Sequence, residues 1–332
     1  MNDAQPERLV VFYGNCHAHY LAGIFAAQGV GLVCIVGAPF GFVAESRGLR
    51  SAYIDAAAVT DVVACARAVG QKVVFVEQSS PVHEGMPVEE TRLADVLIRF
   101  PHVETQAYWP HLSTAEGRFS IDRIRRRWDF DIAALRRSEA KAGWNSSLSD
   151  FIEQTHQSAL LFNTFNHPAA GVMSRLHRRI SDELEQAGPM DATLTTRASA
   201  DIDAERGISF MLDHPLARTV VEALKLKWAE SDWYEAWISS VEAGGQADFA
   251  RSKKQIEAAL ASPDCDAHAY YTYGLVLTAI GDHKAAHQAF GRVHRAYPLN
   301  NEYARKWISG LRPHDFAEPH PLAQDILSRY PG

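Results

Sequence analysis

Hydrophobic residues along this chain follow two rhythms. Leu9 to Tyr13 (LVVFY), Gly31 to Val36 (GLVCIV), Lys72 to Val76 (KVVFV) and Val96 to Phe100 (VLIRF) are short, nearly unbroken apolar runs. Such runs, rich in β-branched residues and closed by turn formers, predict buried strands. Between them, the stretch through Leu21, Ile24 and Phe25, and the alanine-rich stretch Ala56 to Val69, have helical spacing. Strands alternating with helices predict β-α-β units and an α/β fold with a mainly parallel, three-layer sheet. The helical rhythm returns from Ser120 to Ala142 and from Leu148 to Thr155. Leu160 to Phe165 reads as a short strand, and Asn166-His167-Pro168 as the opening of a helix with Pro168 in its first turn. Gly188 to Ala204 reads as loop, and Ile208 to Tyr234 as helical again.

The tail differs in character. Tyr270-x-x-Tyr273-Gly274, Gly281, Ala286-x-x-x-Phe290 and Pro298 resemble a tetratricopeptide helical hairpin. Phe249 to Ser262, closed by Pro263, reads as the second helix of a preceding unit. The expected organisation is a catalytic domain over residues 1–240 and an all-α, tetratricopeptide-like segment over 241–332. The resemblance implies a helical cap or a docking surface for a protein partner.

Composition narrows the class. A chain of 332 residues, 47% hydrophobic and 22% charged with a net charge of −7, matches a globular protein and gives no general affinity for nucleic acid. Basic residues cluster at Arg123 to Arg127, at Arg136-Arg137 and at Arg175 to Arg179. The four cysteines show no C-x-x-C spacing, which argues against a disulfide framework. No signal-peptide pattern opens the chain and no apolar run approaches the ~20 residues of a membrane span. The expected location is cytoplasmic.

The candidate chemistry centres on Val10 to Leu21, VVFYGNCHAHYL. Gly14-Asn15-Cys16 ends a strand and starts a helix, where the helix dipole and unpaired N–H groups lower a thiol's pKa and hold an oxyanion. Cys16 is thus a candidate nucleophile. A thiol needs a base, and His167, His19 and His17 are the candidates. Cys16, His17 and His19 form a C-H-x-H spacing, but no zinc motif supports it, and no metal is expected.

VVFYGNC and NTFNHPAAGVMSRL resemble the first and last blocks of SGNH hydrolases, with Cys16 in place of serine and His167 as base. Gly14-Asn15-Cys16, the third strand ending in Gln78, Phe100-Pro101 with Tyr108-Trp109-Pro110, and Asn166-His167-Pro168 together resemble the WcbI-type polysaccharide-biosynthesis family. That resemblance covers roughly residues 8–230. It implies an SGNH/flavodoxin-like core and acyl transfer from acetyl-coenzyme A, as co-substrate, to a saccharide or glycoconjugate hydroxyl. Cys16 and His167 or His19 would be central, with Asn15, Gln78, His17, Ser79 and Asn166 lining the site or holding the oxyanion. Arg99, Arg118, Arg123 and Arg175 are candidate partners for the phosphates of coenzyme A. Tyr108 and Trp109 offer flat faces to a sugar. An acyl-cysteine and direct transfer by a histidine both remain open. The alternatives are an SGNH-like esterase or thioesterase, and a non-catalytic glycan- or nucleotide-binding module.

Overall fold

The computed structural model describes residues 8–28, 30–36, 51–79, 92–109, 120–188 and 215–296. The chain divides into two compact units, residues 1–209 and 210–332.

The first unit is α/β. Its sheet contains β1 (Arg8–Tyr13), β2 (Leu32–Val36), β3 (Ser51–Ile54), β4 (Lys72–Ser79) and β5 (Val96–Pro101), all parallel, in the order β3-β2-β1-β4-β5. The apolar runs are these strands: Leu9 to Phe12 and Val73 to Val76 are sealed from solvent because helices cover both faces. On one face lies α1 (Cys16–Ala27), whose Phe25 stacks on Phe12 at 5.7 Å. On the other, Val59, Val63 and Ala66 of α2 (Val59–Ala68) pack on Leu9, Val11, Val73 and Phe75. Sheet order reverses between β1 and β4, and open α/β sheets bind ligands at the carboxyl ends of strands beside such a reversal.

Two expectations change here. β3 was not anticipated, because SAYI has neither a long apolar run nor strict alternation; pairing with β2 makes it a strand. Its presence turns a flavodoxin-like 2-1-4-5 order into 3-2-1-4-5, the other common order of doubly wound sheets. β4 also continues through Glu77, Gln78 and Ser79, paired with Arg99, Phe100 and Pro101, so these residues lie within the sheet rather than beyond it.

After β5 come α3 (Ile121–Ala142), capped by Ser120, and α4 (Ser147–Thr155). Buried Glu139 of α3 accepts from the Leu148 and Ser149 N–H groups, satisfying the first turn of α4. β6 (Phe162–Thr164) and β7 (His167–Pro168) form a small antiparallel hairpin, and α5 (Ala170–Ala187) follows. Pro168 therefore sits in a strand pairing with Phe162, two residues before the helix it was expected to open. Carbonyls at the far end of α5 are held by cations: Arg8 Nη1 reaches Leu184 O at 3.0 Å and Lys72 Nζ reaches Ala187 O at 2.7 Å. Positive charge at a helix C-terminus opposes the dipole, and these two bonds fasten α5 to the starts of β1 and β4.

The second unit is helical over its described residues. Arg218–Leu224 (α6) and a short 3-10 turn at Lys227–Ala229 precede Asp232–Gly245 (α7), so the expected continuous helix to Tyr234 is interrupted there. Residues 208–214 lie outside the described set. α7 pairs with Phe249–Leu260 (α8) through reciprocal Ser240 and Ser252 hydroxyl bonds to each other's carbonyls, 2.9 and 2.8 Å. Ala269–Ala279 (α9) pairs with His283–Ala296 (α10). Their close approach needs Gly274: a Cβ there would lie 2.5 Å from the Phe290 ring. Pro298 lies outside the described residues.

Candidate functional site

Gly14 sets the geometry of the strand-to-helix turn. Its φ is +155°, and a Cβ would lie 2.6 Å from Gln78 Cβ and 2.9 Å from Ala18 Cβ. Only glycine allows both this backbone and this approach of β4 to the first turn of α1. Asn15 then caps α1, its Oδ1 accepting from His17 N at 3.0 Å.

A buried network grows from that turn, and its protons can be placed one after another. The Asn15 backbone N–H, which can only donate, reaches Gln78 Oε1 at 2.9 Å. Gln78 Nε2 therefore faces His17 Nδ1 at 2.8 Å and His102 Nδ1 at 3.2 Å, and both nitrogens must accept. Asn15 Nδ2 also donates to His102 Nδ1, at 3.1 Å. Each ring then carries its proton on Nε2. His17 donates to the Asn166 carbonyl at 2.6 Å, and His102 to Glu104 Oε2 at 3.3 Å. The two rings stack at 5.5 Å, and His17 has no solvent exposure. Burial, then the neighbouring His102, holds the His17 pKa well below the ordinary histidine range. The bond from His102 holds the Glu104 carboxyl below its usual range.

Three further contacts fix this assembly. His102 N and Ser138 Oγ both donate to Ser79 O, at 2.9 and 2.8 Å, joining α3 to the ends of β4 and β5. Thr105 N donates to Phe165 O at 2.6 Å, tying the segment after β5 to the β6–β7 hairpin. Asp131, buried on α3, accepts from Ala107 N at 2.9 Å and from Arg127 Nε at 2.7 Å, which holds the following turn.

His167 lies at the half-buried margin of this region, close enough to act electrostatically on His17. Its Nδ1 is 2.6 Å from Thr164 Oγ1, and Thr164 donates its proton to Asn166 Oδ1 at 3.3 Å. With that proton committed, the short bond runs from His167 Nδ1–H, which puts the ring's lone pair on Nε2. Burial pulls the His167 pKa down to about 4. His19, on the next turn of α1, is 2% exposed and also lowered to about 4 by burial.

Cys16 opens α1 as expected, but its surroundings work against a thiolate. Its exposure is 7%, and burial pushes the pKa up to about 12, outweighing the His17 and Cys16 backbone N–H groups that favour the thiolate. Desolvation exceeds the helix-end effect here. Among the described residues no side chain forms a hydrogen bond with its sulfur.

The remaining candidates separate. Asn15, Gln78, His17 and Asn166 are brought together, and Ser79 contributes its carbonyl. The amide N–H groups of Asn15 and Gln78 point at histidine rings. Arg99 pairs with Glu77 at 3.0 Å; these cross-strand neighbours stand on the α2 face, opposite Gln78. Arg123 is exposed in the first turn of α3, and Arg175 lies over the Phe151 ring at 3.7 Å on the outer side of α5. Arg118 and Pro110 lie outside the described residues. Tyr108 and Trp109 are 1% and 6% exposed, with Tyr108 stacked on Trp128 and edge-on to Phe162, so they fill the core instead of offering faces to a sugar. His102 and Glu104 were not singled out from sequence; the available signal was their place just after a parallel strand, at the edge where such sheets carry sites.

Among the described residues no group of three or more potential ligands is arranged to hold a metal, and no helix is long and apolar enough to cross a membrane. A parallel sheet with a buried histidine and amide network at its carboxyl edge has the layout of an α/β enzyme. A family model described as polysaccharide biosynthesis enzyme WcbI matches residues 113–189, which span α3, α4, the hairpin and α5 and include His167. Over that stretch the chain is similar to a polysaccharide biosynthesis enzyme. No curated protein and no solved structure matches the chain.

Proposed function

We propose that the first unit transfers an acyl group, acetyl in the simplest case, from a coenzyme A thioester to a saccharide hydroxyl during polysaccharide biosynthesis. The observation that carries this reading is the neutral histidine network at the strand ends, with His167 at its margin held through Nδ1 by Thr164. The residues fit a thioester at that edge. The first turn of α1 offers the Cys16 N–H, which reaches no backbone carbonyl among the described residues and turns to its own thiol.

Bound there, the thioester supplies an activated acyl group. His167 Nε2 accepts the acceptor hydroxyl's proton while Thr164 holds the ring through Nδ1. The Cys16 N–H faces the oxygen that gains charge. His17, Asn15 and Gln78 keep the turn rigid, and His102 with Glu104 fixes the orientation of both amides. A thiol with a pKa near 12 stays protonated at neutral pH, so direct transfer is favoured over an acyl-cysteine, and Cys16 lines the site. The helical hairpins of the second unit, read as tetratricopeptide-like, serve as a docking surface for a protein partner.

The test is calorimetry with coenzyme A and acetyl-coenzyme A, followed by transfer of labelled acetyl to a saccharide panel. Micromolar binding with label in a saccharide is expected. No binding and no transfer would remove the reading and leave the hydrolase and the non-catalytic glycan-binding module.

A further inference from the structure

A second polar region lies on the outer side of α5, opposite the face that carries Val172, Leu176 and Ile180 into the core. There a cleft of about 110 Å³ opens between α5 and the start of α4. That is well above the ~10–15 Å³ that one water needs. Trp144 and Leu148 line it with Ser147, and one turn of α5 supplies Arg175, Arg178 and Arg179, followed by Asp182.

These guanidinium groups are held differently. Arg175 holds its guanidinium carbon 3.7 Å from the Phe151 ring centre, a contact that positions the group and uses none of its N–H donors. Arg179 pairs with Glu183 at 3.0 Å through Nε and lies 5.9 Å from the Trp144 ring. Arg178 makes no ion pair or hydrogen bond among the described residues, and neither does Asp182. Three guanidinium groups against two carboxylates leave one net positive charge. That balance suits one phosphate group and opposes a chain of several. A carboxylate beside a phosphate site repels the phosphate unless it accepts hydrogen bonds from the same ligand, and hydroxyl groups supply those.

We propose that this cleft binds one phosphate group carried on a polyhydroxy ligand, a phosphorylated saccharide. Arg175 and Arg178 take the phosphate oxygens in charge-assisted bonds, and Asp182 accepts from the ring hydroxyls. Ser147 adds a hydroxyl at the foot of α4. The inference rests on the reading that the unit acts on saccharides, and its test needs no acyl donor.

The full chain is titrated calorimetrically at low ionic strength with glucose-1-phosphate, inorganic phosphate, glucose, and the adenosine bisphosphate portion of coenzyme A. Glucose-1-phosphate is expected to bind and glucose to give no heat. Arg178→Ala should weaken glucose-1-phosphate at least tenfold, with an unchanged circular dichroism spectrum. Asp182→Asn should weaken glucose-1-phosphate while leaving inorganic phosphate as tight or tighter. Binding indifferent to Arg178→Ala overturns the proposal. So does adenosine bisphosphate binding more tightly than the sugar phosphate in an Arg178-dependent way, which would give the cleft to a nucleotide. Either failure leaves acetyl transfer untouched, and failure of acetyl-coenzyme A to bind leaves this titration unchanged.

Discussion

The first unit holds its polar groups in two opposite ways. At the carboxyl edge of the sheet, histidines and amides are buried, neutral and mutually satisfied, so each proton has a defined place. On the outer side of α5, arginines stand in solvent with full charge and incomplete partnering. The buried network can set the position and basicity of a reacting group but tolerates almost no change. The exposed cleft contributes little to folding, and that leaves its charges available for a ligand.

The largest expected effect lies at the turn. Gly14→Ala places a Cβ within 2.6 Å of Gln78 at a φ of +155°, and should remove on the order of 4 kcal/mol of stability, from backbone strain and overlap together. Urea unfolding measures it; a loss below about 1 kcal/mol would mean that the turn relaxes easily. Next comes Gln78→Leu, which strips partners from the Asn15 N–H and from His17 Nδ1 and leaves His102 Nδ1 with Asn15 Nδ2 alone. Each of the two stranded groups costs about 1–3 kcal/mol, so a loss of about 2 kcal/mol or more should appear in the same assay.

Acid should separate the two regions. His19, His167 and His177 have folded pKa values lowered to about 4 by burial, whereas an unfolded histidine titrates near 6.5. Between these values the unfolded chain binds more protons, so stability is complete above pH ~6.5 and falls as pH drops toward 4. For sealed His177, bonded through Nε2 to Gln28 Oε1 at 3.1 Å, the loss is about 3 kcal/mol. His177→Phe should flatten part of the pH dependence of the urea midpoint; an unchanged slope would place the titration elsewhere. At the small end, Arg178→Ala should shift stability by less than about 0.5 kcal/mol, as suits an exposed cation. A larger loss would mean that the cleft is structural.

Much of the frame was legible in the sequence. The unbroken apolar runs are the central strands, and Gly14-Asn15-Cys16 is the strand-to-helix turn because glycine and a capping asparagine interrupt β-forming residues there. Tertiary pairing was hidden: Ser51–Ile54 is a strand only because β2 stands beside it, and Pro168 joins a hairpin although proline also suits a helix start. The site was legible by position but not by role. Cys16, His17, Gln78 and Asn166 lie together, yet burial, which no motif encodes, raises the thiol's pKa instead of lowering it. His102 and Glu104 carry no pattern of their own. Their place in the network follows from β4 and β5 being neighbours, and from the Asn15 N–H fixing which way the Gln78 amide turns.

The central claim, direct transfer by a histidine beside a protonated thiol, is tested most directly by acetyl transfer in His167→Ala and Cys16→Ala, with peptide mass spectrometry of the wild type during turnover. The account predicts that His167→Ala loses about 10²–10⁴-fold in rate, that Cys16→Ala stays within about tenfold, and that Cys16 is never acetylated. An acetylated Cys16 peptide that forms and decays at the turnover rate, with Cys16→Ala inactive, would contradict it.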